Sequence, residues 1–198
     1  HLRDSANSHC PSPLEGHLGL TYSDAVKRLR LPLGFVLGIL YLAFAHPTPM
    51  SLATGGAIAL VGVLIRAWAS GHIVKNERLA VTGPYAHTRN PLYFGSFLIG
   101  AGFAVAAHWA LLLVVIAFWA FVYAPTIQRE RANISERFPN AYPAYSENVP
   151  AFVPRVTPWR GGSPEESAFS FDLYMRHGEW KALLTYLLAL GWLALRMS

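Results

Sequence analysis

Five apolar stretches set the limits on how this chain can fold: residues 31–45, 52–69, 92–107, 109–125 and 182–195. Each approaches the ~20 residues that an α-helix needs to cross a bilayer. The runs are continuous and do not alternate, so they predict membrane helices and argue against the strands of a barrel. The shorter ones can be completed by their flanks, by tilt or by local thinning of the bilayer. Only 14% of the residues are charged and 53% are hydrophobic, too little polar surface for an ordinary soluble domain. The expected fold is therefore an all-α integral membrane protein with five transmembrane helices.

The links between the runs divide by charge. Residues 46–51 and the corner at 106–109 carry no Lys or Arg, whereas Lys27, Arg28 and Arg30 precede the first run. Lys75, Arg78 and Arg89 follow the second, and Arg129, Arg131, Arg137, Arg155, Arg160, Arg176 and Lys181 separate the fourth from the fifth. The positive-inside rule then places the amino terminus and both long links in the cytoplasm and the carboxyl terminus outside. Trp68, Trp109 and Trp180 fall at predicted helix ends, where indole favours the headgroup zone. The small-residue pairs Gly34 with Gly38 and Ser96 with Gly100 predict close helix approach. The net charge of +5 is scattered among the links and forms no basic face, so nucleic acid is not an expected partner. Cys10, the sole cysteine, excludes an intramolecular disulfide, and its loose spacing from His9 and His17 predicts no metal site. No basic region runs directly into an apolar stretch at the start, so no removable signal peptide is expected.

The chain divides into a polar amino-terminal segment (1–30) with amphipathic potential, a membrane core (31–155), a linker (156–179) and an additional carboxyl-terminal transmembrane helix (180–198). The Gly161, Gly162, Ser163, Pro164 sequence marks the linker.

Two segments have more polar and aromatic variety than a connector needs. The first is GHIVKNERLAVTGPYAHTRNPLY, residues 71–93. Gly83 and Pro84 predict a turn, and Asn90 followed by Pro91 predicts a helix start, with Asn90 as N-cap. The free amides there, with Arg89 beside them, suit an anion such as a carboxylate; a contact to lipid phosphate is the plainer reading of Arg89. The second segment, YAPTIQRERANISERF, continues the fourth helix beyond the apolar zone, with a kink expected at Pro125. Thr126, Glu130, Ile134 and Phe138 fall on one face with Ile127, so Glu130 is expected to point inward, while Gln128, Arg129, Arg131, Ser135 and Glu136 point elsewhere. An inward carboxylate needs a partner, either an Arg or a cationic or hydrogen-bonding ligand.

These residues, LAVTGPYAHTRNPLYFG, then a helical hairpin, an IQRE stretch and FPNAYPAYSENVPAFVP, resemble the isoprenylcysteine carboxyl methyltransferase family and its relatives among phospholipid methyltransferases. The likeness covers residues 66–154. It implies a small helical membrane fold with S-adenosylmethionine in a cytoplasmic pocket, S-adenosylhomocysteine as product, and a lipid-like or prenylated small-molecule substrate arriving from within the bilayer. On this likeness Glu77, Arg78, Leu79 and Ala80 line the adenosine, Tyr85, Asn90, Pro91, Leu92 and Tyr93 pack around the cofactor, and His72 is an additional neighbour. Glu130 holds the ribose or amino acid moiety, and Arg89 with Glu130 is the pair expected to carry activity. Four positions depart from the family pattern: Arg131 follows Glu130 in place of a second acid, Asn90 replaces a frequent His, Pro139 replaces Gly, and Thr126 replaces an Arg that the prenylcysteine enzymes associate with substrate.

Carboxylate O-methylation is the leading expectation. Phospholipid, amine or thiol methylation, a non-catalytic membrane scaffold and a sterol-reductase-like protein are the alternatives. A carboxylate acceptor needs no base, whereas an amine or thiol would use Glu130 or His87.

Overall fold

The computed structural model describes residues 34, 36, 38, 39, 41, 45–73, 78–161 and 168–197. The chain divides into two units, residues 1–43 and 44–198. In the first unit the described residues are helical. The amino-terminal polar segment, Cys10 and Glu77 lie outside the described residues.

The second unit is helical, with no strand among its described residues. Helix α1 (Pro49–Ser70) starts from a capping box in which Ser51 N donates to Thr48 Oγ1 at 3.1 Å and Thr48 N to Ser51 Oγ at 2.9 Å. Helix α2 (Pro91–Ala107) runs back along it, and Ser51 Oγ donates to Ala106 O at 2.9 Å, tying the start of α1 to the end of α2. The uncharged links thus share one end of this pair. Residues 71–73 and 78–90, with Arg78 and Arg89, lie at the other.

Small residues set how closely α1 and α2 pack. A Cβ added to Gly62 would lie 2.5 Å from Gly95 O, and one added to Gly102 would lie 2.5 Å from Gly55 O. Two glycines seven residues apart on each helix therefore face each other, with Ala59 between. The sequence suggests Ser96 and Gly100 for this role. Gly100 instead faces Val115 at an ordinary 3.4 Å, and Ser96 Oγ donates to Leu92 O at 2.9 Å.

Helix α3 (Leu111–Phe118) passes through a π-turn (Trp119–Tyr123) into α4 (Ala124–Arg137). Pro125 cannot donate within the helix, and its ring crowds the preceding turn. The π-turn takes up this misfit: Ala124 N donates to Trp119 O, five residues back. At the expected kink the helical register thus changes locally, and 111–137 remains one continuous helix.

Helices α1 and the 27-residue rod Leu111–Arg137 are long and apolar enough to cross a bilayer. Helix α2, of 17 residues, and α7 (Trp180–Leu195), of 16, are apolar but shorter, about 24–26 Å at 1.5 Å per residue. Leu113, Ile116 and Phe121 on the rod and Leu187, Leu188 and Leu195 on α7 are exposed. Apolar exposure on this scale marks a surface for a membrane or a partner.

The carboxyl-terminal part packs on α1. Tyr186 of α7 joins Ala59 and Val63 in a core to which Ile99, Phe103 and Leu190 add, and its hydroxyl donates to Gly56 O at 3.1 Å. The short helix α6 (Phe171–His177) ends at Gly178, whose φ of 69° lies in the left-handed region that glycine adopts without strain.

Candidate active site

The walls of the site begin with the 78–90 loop. Gly83 has φ 57°, and a Cβ there would lie 2.5 Å from His72 Nε2, so both conformation and space call for glycine. The turn leads into a 3₁₀ segment (Gly83–Ala86) that buries Tyr85 and Ala86.

The residues after α4 fold over this loop. In FPNAYPAYSENVP, Phe138, Tyr142, Tyr145 and Val149 recur at four- and three-residue spacing, a helical stripe carried partly by α5 (Tyr142–Asn148). Tyr142, Tyr145 and Val149 are buried with Val81 in a core that also packs Leu79, Ile134 and Phe138. Tyr145 donates its hydroxyl to Tyr85 O at 2.8 Å. The next segment straps the loop down: Arg89 N donates to Pro150 O and Arg155 N to His87 O, both at 2.9 Å, and Trp159 N donates to Ala86 O at 3.0 Å. Thr88 Oγ1 donates to Phe152 O at 2.9 Å. Asn90 stands at the N-cap of α2 as expected, yet its side chain makes no capping bond; Nδ2 donates to Ala151 O at 2.7 Å.

Between loop, strap and rod lies a cavity of about 1020 Å³. The loop contributes Arg78, Leu79, Ala80, Tyr85, Arg89 and Asn90, and the rod contributes Trp119, Ile127, Gln128, Glu130, Arg131, Asn133, Ile134, Glu136 and Arg137. Phe138, Tyr142, Tyr145 and Phe152 close it. Among the described residues, three buried polar atoms have no hydrogen-bond partner, and all belong to cavity residues: Tyr85 OH, Arg89 Nε and Trp119 Nε1. One of the two terminal nitrogens of Arg89 is held in place, with Nη1 donating to Tyr142 OH at 3.1 Å. Burial, then the charges of Glu130 and Glu179, push the Tyr85 hydroxyl above the usual phenol range against the opposing pull of Arg66. At neutral pH Tyr85 is a neutral hydrogen-bonding group.

Of the residues singled out in the sequence, Arg78, Leu79, Ala80, Tyr85, Arg89, Asn90 and Glu130 meet on this cavity; His72, Pro91, Leu92 and Tyr93 do not line it. His72 sits under Gly83 with Nδ1 2.9 Å from Trp68 O. Pro91 is buried at the start of α2, Leu92 O receives Ser96 Oγ, and Tyr93 packs edge-on against Tyr123 at 5.7 Å. His87 also stands outside the cavity, its Nδ1 2.8 Å from Arg155 O.

Glu130 lines the wall but is exposed, so the cost of burying an unpaired charge does not arise there. The cavity is open and wraps more of the rod than one helical stripe, which brings Gln128, Arg131 and Glu136 into the wall as well, contrary to the single-face expectation. Trp119 and Tyr142 also line the cavity and are not among the site residues expected from the sequence. Trp119 lies within an apolar run, and only the π-turn and its stacking on Tyr123 at 4.0 Å mark it out. The stripe Phe138, Tyr142, Tyr145, Val149 was a readable signal for Tyr142.

Residues 36–141, more than half of the chain, match the model of the phospholipid methyltransferase family. The chain belongs to that family. Among curated proteins it is similar to the cobalt-zinc-cadmium resistance protein CzcN of Cupriavidus metallidurans, 34% identical over 113 residues, which are 55% of this chain and 50% of that protein. The nickel-cobalt-cadmium resistance protein NccN of Alcaligenes xylosoxydans xylosoxydans is 33% identical over 113 residues, 55% of this chain and 51% of the relative. The protein-S-isoprenylcysteine O-methyltransferase of Schizosaccharomyces pombe is 23% identical over 145 residues, 70% of this chain and 61% of that enzyme. The chain thus spans about half the length of the first two relatives. No solved structure matches.

Proposed function

We propose that this chain is a multi-pass membrane methyltransferase that uses S-adenosylmethionine at the cytoplasmic face and acts on a lipid-like or lipidated acceptor, with carboxylate O-methylation as the leading reaction. The observation that carries this reading is the cavity that unites Arg89 and Glu130 and whose wall holds three buried polar atoms awaiting partners, in a chain of this family. Such atoms cost about 1–3 kcal/mol each when left unpaired, and a polar ligand offsets that cost. The volume, about 1020 Å³, is at the upper end of small-ligand sites, roughly 300–1,000 Å³, and suits a cofactor together with the head of an acceptor.

S-adenosylmethionine, when bound, supplies a methyl group on a positively charged sulfur. Glu130, exposed in the wall, would face and attract its cationic part. Tyr85 and Trp119 offer hydrogen bonds and ring faces. Four arginines line the cavity, Arg78, Arg89, Arg131 and Arg137, against the two glutamates Glu130 and Glu136. That balance favours an anionic acceptor, and Arg89 could orient a carboxylate through its free Nε. A carboxylate nucleophile needs no base, so the chain's task is alignment and exclusion of water. The exposed apolar face of 111–137 leaves the acceptor's tail in the bilayer.

The test is calorimetric titration of the detergent-solubilised protein with S-adenosylmethionine and, separately, with NADPH. Saturable binding of the sulfonium compound, weakened by Glu130→Gln and Arg89→Ala in proteins that still unfold cooperatively, is the expected result. A preference for NADPH, or binding indifferent to both substitutions, would refute it.

A further inference from the structure

The carboxyl-terminal segment lies beyond the residues matched by the family, 36–141, yet it supplies a carboxylate to the core. Arg66, in the last turns of α1, donates from Nε to Glu179 Oε2 at 3.0 Å and from Nη2 to Glu179 Oε1 at 2.6 Å, a two-pronged pair. Both side chains are largely withdrawn from solvent, 25% and 12% exposed. The remaining nitrogen, Nη1, donates to Ser96 Oγ and reaches Leu92 O at 3.4 Å, both in the first turns of α2. The stem of Arg66 lies on Gly95, where a Cβ would come 2.7 Å from its Cγ, so the side chain runs in a groove that only glycine leaves open.

We propose that Glu179 is a positioning residue for the cavity: through Arg66 it fixes the start of α2 and thereby the placement of Arg89 and Asn90, which immediately precede that helix. This rests on reading the cavity as the cofactor site. The physical route is short. Without the carboxylate, a largely buried guanidinium keeps its charge and loses its counter-charge, and it is driven toward water. That movement withdraws the donor from Ser96 and Leu92, the polar contacts that Arg66 adds to the glycine packing between α1 and the first turns of α2. The charges of Arg66 and Glu179 also act on the Tyr85 hydroxyl in the cavity wall, so the pair is electrostatically close to the site. The neighbouring backbone is fixed from the same segment, with Ser170 N donating to Gly71 O at 2.9 Å and His177 Nδ1 3.1 Å from Ser70 O.

The experiment measures S-adenosylmethionine affinity by calorimetry and the thermal midpoint in parallel, on the full chain in detergent, for Glu179→Gln, Ser96→Ala and Tyr186→Phe. Small displacements of aligning groups carry large penalties, so Glu179→Gln is expected to weaken the cofactor about tenfold and Ser96→Ala in the same direction by less. Tyr186→Phe removes the bond to Gly56 O, loosening α7 without touching the relay; it is expected to lower the midpoint and leave affinity unchanged. If Glu179→Gln does not fold, Ser96→Ala decides. Wild-type binding with both relay variants within twofold of it would overturn the inference alone, as would equal losses of affinity in all three variants. Absence of wild-type binding would overturn the cofactor reading and this inference with it.

Discussion

Replacing Gly102 by alanine tests the packing that holds the site's two supporting helices together. An added Cβ there would lie 2.5 Å from Gly55 O, closer still to Ala59 N, and 2.8 Å from Ala59 Cβ. Ordinary contact begins near 3.4 Å, so α1 and α2 must part by roughly 1 Å, a gap that already forfeits a quarter to a half of each dispersion contact across it. Overpacking of this kind costs about 1–3 kcal/mol. Alanine's better helix propensity returns up to about 1 kcal/mol. The net expectation is a loss of about 1–2 kcal/mol, a fall of roughly 2–8 °C in the thermal midpoint for a chain of this size. Gly100→Ala is the internal control. It makes the same chemical change two residues away, where the new methyl meets only Val115 Cγ1 at 3.4 Å, so the midpoint should hold or rise. Thermal unfolding of both variants in one detergent decides it; a Gly102→Ala midpoint equal to or above that of Gly100→Ala would refute the close-packing argument.

Trp119→Phe removes an indole N–H that is buried without a partner while keeping a ring to stack on Tyr123; its midpoint should be unchanged or slightly raised while methyl transfer falls, and a clear destabilisation would mean that the N–H is already bonded. Tyr145→Phe deletes the bond to Tyr85 O and leaves a buried carbonyl unpaired, a cost of about 1–3 kcal/mol, to be read by denaturant unfolding. Asn90→Ala loses the 2.7 Å bond to Ala151 O and with it one fastening of the strap; faster proteolysis or hydrogen exchange in residues 150–159 than in the wild type is expected, and identical protection would show that the other fastenings suffice.

By itself the sequence determined the helical class, because continuous apolar runs can satisfy their backbone in lipid only as helices. It also brought the loop before Pro91 and the helix carrying Glu130 to attention, since Arg89, Asn90 and Glu130 stand in polar segments where a plain connector needs none of them. Those features are local in the chain and so legible there. What the tertiary structure decided depends on neighbours distant in sequence. Whether Gly100 or Gly102 meets the facing helix is fixed by the crossing of α1 and α2, and both choices have small residues at helical spacing. Trp119 joins the cavity through the register change that Pro125 imposes, which no apolar pattern encodes. Glu130 proved exposed because helical periodicity gives a direction but not the depth of the surface behind it. Glu179 reads as an ordinary charge beside a terminal helix, and only the fold brings it across more than a hundred residues to Arg66, where withdrawal from water makes the partner of a charge matter.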